Sequence, residues 1–371
     1  MRLATLLFLV TMACVASAGS NRWTESAPPA ICGYGMCTGV ASIAVDPFDS
    51  QLLYVLTGGA VPLETGEWVS NPGLWRSSDG GATWTHVGAG SLLGKELYSP
   101  IVLRIARSNP RVFYVIARST FYRSADAGET WTKSELPKSY GDNVDLIVDP
   151  LDANRVYVEQ NAVCTKPGCA GGVYRTDDGG RNWKLTGLEQ RYHTLMASDP
   201  SNRAVLYAIG GGRLHQTTNG AGSWKDITPA SPSDLKVTGI AVDPTNSSTL
   251  YITAGSLSIG LSYFMKTLDG GRTWRSVREF DGYSGFRTII TVDPRQPSHL
   301  LATTYCGGIT RSIDGGETWT PLNDGLSVFA TPEIAFAGDG RTFHAIVGRD
   351  SRVGSLYHFS LDAPRRRSVR Y

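Results

Sequence analysis

Three acids stand close to the starts of short apolar runs: Asp142 and Asp145 in "GDNVDLIVDP" and Glu333 in "PEIAFAGDG". Two carboxyls facing one opening can divide glycosidic-bond cleavage between them, one as acid and one as base. Arg104, His193, Lys236 and Arg287 occupy matching places ahead of other apolar runs. Such groups make charge-assisted contacts to an anionic sugar or to a partner's side chain. They can equally neutralise the acids around a hydrated channel, and residue type leaves all three readings open. A lone histidine such as His193 adds little by itself. Trp68 in "GEWVSN", with Tyr34, Tyr98, Tyr263 and Tyr283, offers aromatic faces for stacking on sugars or anchoring a protein. The alternative for Trp68 is to fold back over its own loop.

A second set of acids is repeated. "SSDGGATW" around Asp79 recurs as "SADAGETW" (Asp126), "TDDGGRNW" (Asp178), "TLDGGRTW" (Asp269) and "SIDGGETW" (Asp314), with a worn copy, "TTNGAGSW", at Asn219. Successive copies lie 41 to 52 residues apart. An acid that recurs with this period is no unique catalytic group. It reads as an acceptor for backbone N–H groups across a tight turn, with glycines supplying the left-handed conformations. Losing one such buried acceptor is expected to lower stability by about 1–2 kcal/mol. The box tryptophans are expected to pack against the apolar body of their own repeat.

The elements that position these residues follow from a second repeat in step with the first. "SIAVDPFDSQLLYVLT" from Ser42 has counterparts from Arg104, Asp145, Thr194, Gly239 and Thr288. Each is an apolar run, a turn carrying Asp or Asn, and another apolar run, which predicts strand, turn, strand. A third strand enters each box and a fourth follows its Trp. Four short antiparallel strands per unit of about 50 residues predict an all-β fold, a β-propeller. A seventh unit begins at Glu333 and lacks a box. "RWT" at Arg22 to Thr24 resembles the strand after a box, so the N-terminal strand is expected to close a seven-bladed ring and leave no open edge.

Residues 1–18 read as a secretory signal peptide, residues 19–362 as the single propeller, and residues 363–371 as a basic, flexible tail. Cys14 offers a lipoprotein alternative, but the residues before it lack the expected leucine. No later stretch is long and apolar enough to span a membrane. A formal net charge of +2 gives no global field for nucleic acid. In an oxidising compartment Cys32–Cys37 and Cys164–Cys169 are expected to form two small disulfide loops, with Cys306 left over. No CxxC pair or histidine cluster accompanies them, so neither a metal nor a cofactor is expected. Asn246 heads a glycosylation sequon.

The boxes resemble the Asp-box, or BNR, repeat of sialidases, xyloglucanases, sortilin-type receptors and a photosystem II assembly factor. The resemblance covers six of the seven expected blades and implies a propeller without implying one function. A sialidase would need an arginine triad and a tyrosine–glutamate pair; "LRIA" at Arg104 matches that pattern only faintly. Xyloglucanases of this kind place two aspartates across a cleft between two propellers. Here the length suits one propeller, and Gly58 of "LYVLTGG" stands where their first blade carries an acid. The sortilin type implies a larger propeller and an anchor. A single seven-bladed exported form is most similar to the assembly-factor type, a protein-binding scaffold.

Boxes and Asp/Asn turns are expected on one face of the propeller. The long insertions 58–73, 160–172, 28–39, 88–100 and 256–264 then share the opposite face with the starts of the first strands. That loop-rich face is the expected place for a protein or glycan.

Overall fold

The computed structural model describes residues 22–26, 32–33, 36–37, 39–58, 60–62, 68–70, 73–88, 101–117, 120–137, 144–160, 171–190, 193–230, 234–256, 261–281, 289–304, 308–326, 330–337, 339, 341–348 and 355–361. They form seven four-stranded antiparallel sheets, the blades of a β-propeller. Blade 1 comprises Gly39–Val45, Leu53–Gly58, Gly73–Ser77 and Thr85–Val87. Blade 2 runs from Ile101–Ile105 to Thr132–Glu135, blade 3 from Val144–Asp149 to Lys184–Gln190, and blade 4 from His193–Ser198 to Lys225–Asp226. Blade 5 runs from Lys236–Val242 to Arg275–Asp281 and blade 6 from Ile290–Val292 to Thr320–Pro321. Blade 7 takes three strands from the C-terminal part of the chain, Ala330–Phe336, Thr342–Gly348 and Ser355–Ser360. Its fourth is the N-terminal Thr24–Glu25. Two further hairpins, Cys32–Gly33 with Met36–Cys37 and Ala60–Pro62 with Trp68–Ser70, belong to the insertions before and within blade 1.

The second strands are continuous apolar runs because both their faces are covered. Phe113–Ala117 and Leu206–Gly210 are buried along their whole length. The core is correspondingly divided among the blade seams. Tyr54 and Leu56 of blade 1 pack on Leu103, Phe113 and Val115 of blade 2. Comparable clusters fill each later seam, ending with Val40, Ile43 and Val55 of blade 1 against Ile346 and Leu356 of blade 7. The box tryptophans join these seams rather than only their own blades. Trp183 meets Phe121 of blade 2 edge-on at 5.0 Å, and Trp319 meets Phe264 of blade 5 at 4.6 Å.

One cross-strand pair recurs at the seams. The second strands of blades 1 to 5 place Tyr54, Tyr114, Tyr157, Tyr207 and Tyr251 beside Arg76, Arg123, Arg175, Gln216 and Lys266 of the third strands. The phenol and its partner reach forward to the next blade. Tyr114 Oη donates to the Ala153 carbonyl (2.6 Å), Arg175 to the Gly220 carbonyl (3.0 Å) and Lys266 Nζ to the Gly315 carbonyl (3.0 Å). Burial raises the tyrosine pKa values, Tyr251 to about 12, so the phenols remain donors.

Closure is made by the N-terminal segment. Trp23 is buried and donates from Nε1 to the Leu322 carbonyl of blade 6 (2.6 Å). Ser26 donates its N–H to the Leu356 carbonyl (2.8 Å) and its hydroxyl to the Gly81 carbonyl in the box of blade 1. The strand itself begins at Thr24, so Arg22 and Trp23 precede it.

Candidate functional site

The six boxes share one geometry at the third-to-fourth strand turn. In blade 2, Ser124 Oγ donates to Asp126 Oδ1 (2.7 Å) and accepts from Gly128 N (2.8 Å). Thr130 donates from its backbone N–H to Oδ1 (2.9 Å) and from its hydroxyl to Oδ2 (2.5 Å). Asp79, Asp178, Asp269 and Asp314 repeat the set. These donors hold the Asp126, Asp178 and Asp314 carboxyls down to about 2, and Asp269 is also well below its ordinary value. Burial pushes Asp79 up, and the bonds from Thr83 and Ser77 outweigh it. In blade 4 Asn219 accepts the Ser223 N–H and offers its own amide to Ser223 Oγ, so the turn survives without the charge. Asp79 itself is exposed, which differs from the buried acceptor expected of it. The box turns bond to the first-to-second strand turns of their blades, as in Gly179 N to the Asn154 carbonyl, so both lie on one face.

The first strands of successive blades pack side by side. Arg104 of blade 2 reaches two other blades. Its guanidinium donates to Glu333 Oε1 of blade 7 at 3.1 Å and to Asp145 Oδ1 of blade 3 at 3.4 Å. Glu333 Oε2 accepts the Ile43 N–H of blade 1 (2.9 Å). Asp145 Oδ1 also accepts the Leu146 N–H, and its Oδ2 accepts Met196 N–H of blade 4, both at 2.9 Å. Ser42 Oγ likewise accepts the Leu103 N–H of blade 2 (3.1 Å). First strands are thus stitched side chain to backbone, from one blade to the next. Asp145 is 4% exposed and Ser42 1%, so neither lines an open mouth as the first-strand positions suggest. All four oxygens of the two acids already accept from the protein.

The remaining candidates are more scattered. Lys236 is exposed at the start of the blade 5 first strand. His193 begins the first strand of blade 4, opposite Gly210. Trp68 stands opposite Pro62 and Cys32 opposite Cys37 in their hairpins, and those two hairpins lie side by side. Asp142, Arg287, Tyr34, Tyr98, Tyr283, Cys164, Cys169 and Cys306 lie outside the described residues. Tyr263 is buried in the seam between blades 4 and 5, not on the surface. Gly58, where the xyloglucanase pattern has an acid, is buried in the second strand opposite Gly39. Among the described residues no group of three or more His, Cys, Asp or Glu is arranged for a metal, and no helix is long and apolar enough to cross a membrane.

The seam pair of Tyr with Arg, Lys or Gln escaped the reading of the sequence. Its signal is present, since Arg, Lys or Gln stands immediately before the Ser or Thr of every box.

Comparison with known proteins places this geometry. The family model "Sortilin, neurotensin receptor 3" matches residues 73–208. The xyloglucanase Xgh74A of Acetivibrio thermocellus is 28% identical over 314 residues, covering 71% of this chain and 36% of that protein. A xyloglucanase of Hypocrea jecorina is 26% identical, covering 84% and 46%. The chain therefore spans between about a third and a half of the length of these relatives. Among solved structures, YCF48 from Cyanidioschyzon merolae superposes with a TM-score of 0.61 at 18% identity, covering 91% of this chain and 98% of that one. A YCF48 structure is also known with a D1 peptide bound.

Proposed function

We propose that this chain, an Asp-box repeat β-propeller, is a binding or scaffold module engaging a protein or glycan on its loop-rich face. The observation that carries this reading is the Arg104–Asp145–Glu333 network. A general acid needs a proton to give, and a nucleophile needs a free lone pair directed at substrate. Both carboxylates instead accept from Arg104 and from backbone N–H groups of neighbouring blades. The acids hold the ring around its channel. The adjacent Cys32/Cys37 and Trp68 hairpins, inserted before and within blade 1, are our candidate platform for that contact. We place the protein outside the cytoplasm, after removal of residues 1–18, with Cys32–Cys37 and Cys164–Cys169 each closing a small disulfide loop.

A second reading, a glycoside hydrolase, is favoured by the xyloglucanases among the relatives. It requires acids other than Asp145 and Glu333. Binding should be screened on glycan and peptide arrays with wild-type protein and Trp68→Ala. We expect ligand binding to fall at least tenfold in Trp68→Ala with unchanged thermal melting. Full retention of binding would move the site away from the blade 1 platform.

A further inference from the structure

The seam pair of blades 1 to 5 is half kept in blade 6, where Arg311 stands opposite Leu301. Blade 7 replaces both members with histidine. The tyrosine position is His344 and the Arg/Lys position is His358, directly paired across the strands. Their rings lie 5.2 Å apart. They occupy the same faces of their strands as Ile346 and Leu356, so they point into the seam with blade 1. This is the seam that the N-terminal strand closes, and Thr24 is the next residue in the same cross-strand row. His344 is fully buried, and neither of its ring nitrogens has a hydrogen-bond partner among the described residues; His358 Nδ1 has none either.

We propose that His344 and His358 form an acid-sensitive latch at the ring closure, loosening the blade 7–blade 1 seam and the N-terminal strand when either ring gains a proton. A charged imidazole at His344 is shielded from solvent and one at His358 partly so, and each meets few acceptors. From blade 1 the seam presents Val40, Ile43, Val55 and the indoles of Trp75 and Trp84. From blade 7 come Glu333, whose oxygens are taken by Arg104 and the Ile43 N–H, and Asp339, the charged group that acts on both rings. The Asp339 carboxylate is already engaged by Arg341 N, Thr342 N and Thr342 Oγ1. From the N-terminal strand, Thr24 flanks His358, while Glu25 pairs with Tyr357 on the alternate row. The seam also has the smallest apolar cluster, five buried residues against six to twelve elsewhere among the described residues, so less packing resists opening.

Burial, helped by the neighbouring ring, holds His344 down at about 3; burial also depresses His358, with Asp339 opposing in both. An opened seam returns both toward about 6.5. The opened state then binds protons that the closed state refuses. Closure is at full strength above about pH 6.5 and weakens as pH falls toward about 3.

Hydrogen exchange at the Ser26 amide, which bonds to Leu356, reads the latch directly. After correction for intrinsic rates, we expect its opening constant to rise at least tenfold from pH 7 to pH 5. The Gly220 amide on the outer side of blade 4 should not change comparably. His344→Tyr/His358→Arg, which installs the pair of blades 1 to 3, should flatten the Ser26 response. If that variant fails to fold, His358→Gln, which places there the residue type that Gln216 supplies in blade 4, should reduce it. Equal responses at Ser26 and Gly220, or imidazole resonances titrating near 6.5 with no change at Ser26, would overturn the proposal.

Discussion

At the residue scale, the box acid is a turn acceptor whose charge is separable from its geometry. Asn219 keeps the turn of blade 4 with an amide, whereas Asp126 uses a carboxylate held at about 2. The ordinary unfolded value is about 3.9. A depressed carboxyl contributes stability that is present above the unfolded value and is lost as pH falls through the folded value. Asp126→Asn keeps the turn's hydrogen bonds but gives up the charge-dependent part, so it should lower melting at pH 7 by less than Asp126→Ala does and reduce the loss of stability between about pH 4 and pH 2. Asp126→Ala should lower stability by about 1 kcal/mol at pH 7, in the range of a lost capping acceptor. Melting temperatures of the two variants across that pH range check both expectations, and identical acid profiles for Asp126→Asn and wild type would contradict the first. The recurring acid was legible in the sequence because its period was visible. Its exposure was not, because the same turn pattern serves buried and exposed corners alike.

At the element scale, the boxes work as spacers between blades as well as turns within them. Gly180 follows Asp178 at φ +95°, and a Cβ placed there would lie 2.3 Å from the Phe121 ring of blade 2. Gly180→Ala thus combines a left-handed backbone with a steric clash against a rigid aromatic wall. We expect a loss of more than about 1 kcal/mol, measured by chemical denaturation, and at least twice the loss from Gly270→Ala. At Gly270 the φ is similar, at +71°, but a Cβ would meet nothing within 4 Å. Equal losses would mean that backbone strain alone decides, and that the Phe121 contact carries no weight. Strand count, strand order and the borrowed N-terminal strand were legible from spacing and alternation. The seam pairs were not, since an arginine before a box reads as a solvated residue until the next blade is set beside it.

At the scale of the whole molecule, seven seams close a ring, and the first strands are stitched around its channel by Ser42, Arg104, Asp145 and Glu333. Those residues were found by their chemistry and their places on the first strands, although Ser42, Arg104 and Glu333 stand in mid-strand or beyond rather than at the starts expected of them. Their roles could not be found that way, because an acid that cleaves a sugar and an acid that ties two blades are the same residue type in one sequence position. Only the partners distinguish them: the Ile43 and Met196 amides and one guanidinium reaching across to two blades. We propose the loop-rich face as the place for recognition, since the boxes repeat in sequence and the long insertions do not. The central claim is that these acids hold the ring and that the molecule acts by binding. Its most direct test is release of reducing ends from xyloglucan oligosaccharides by wild-type protein, Glu333→Gln and Asp145→Asn, with melting measured alongside. The account predicts no release that depends on either acid, and a lower melting temperature in both variants. Turnover by the wild type that both substitutions abolish, with folding intact, would contradict it.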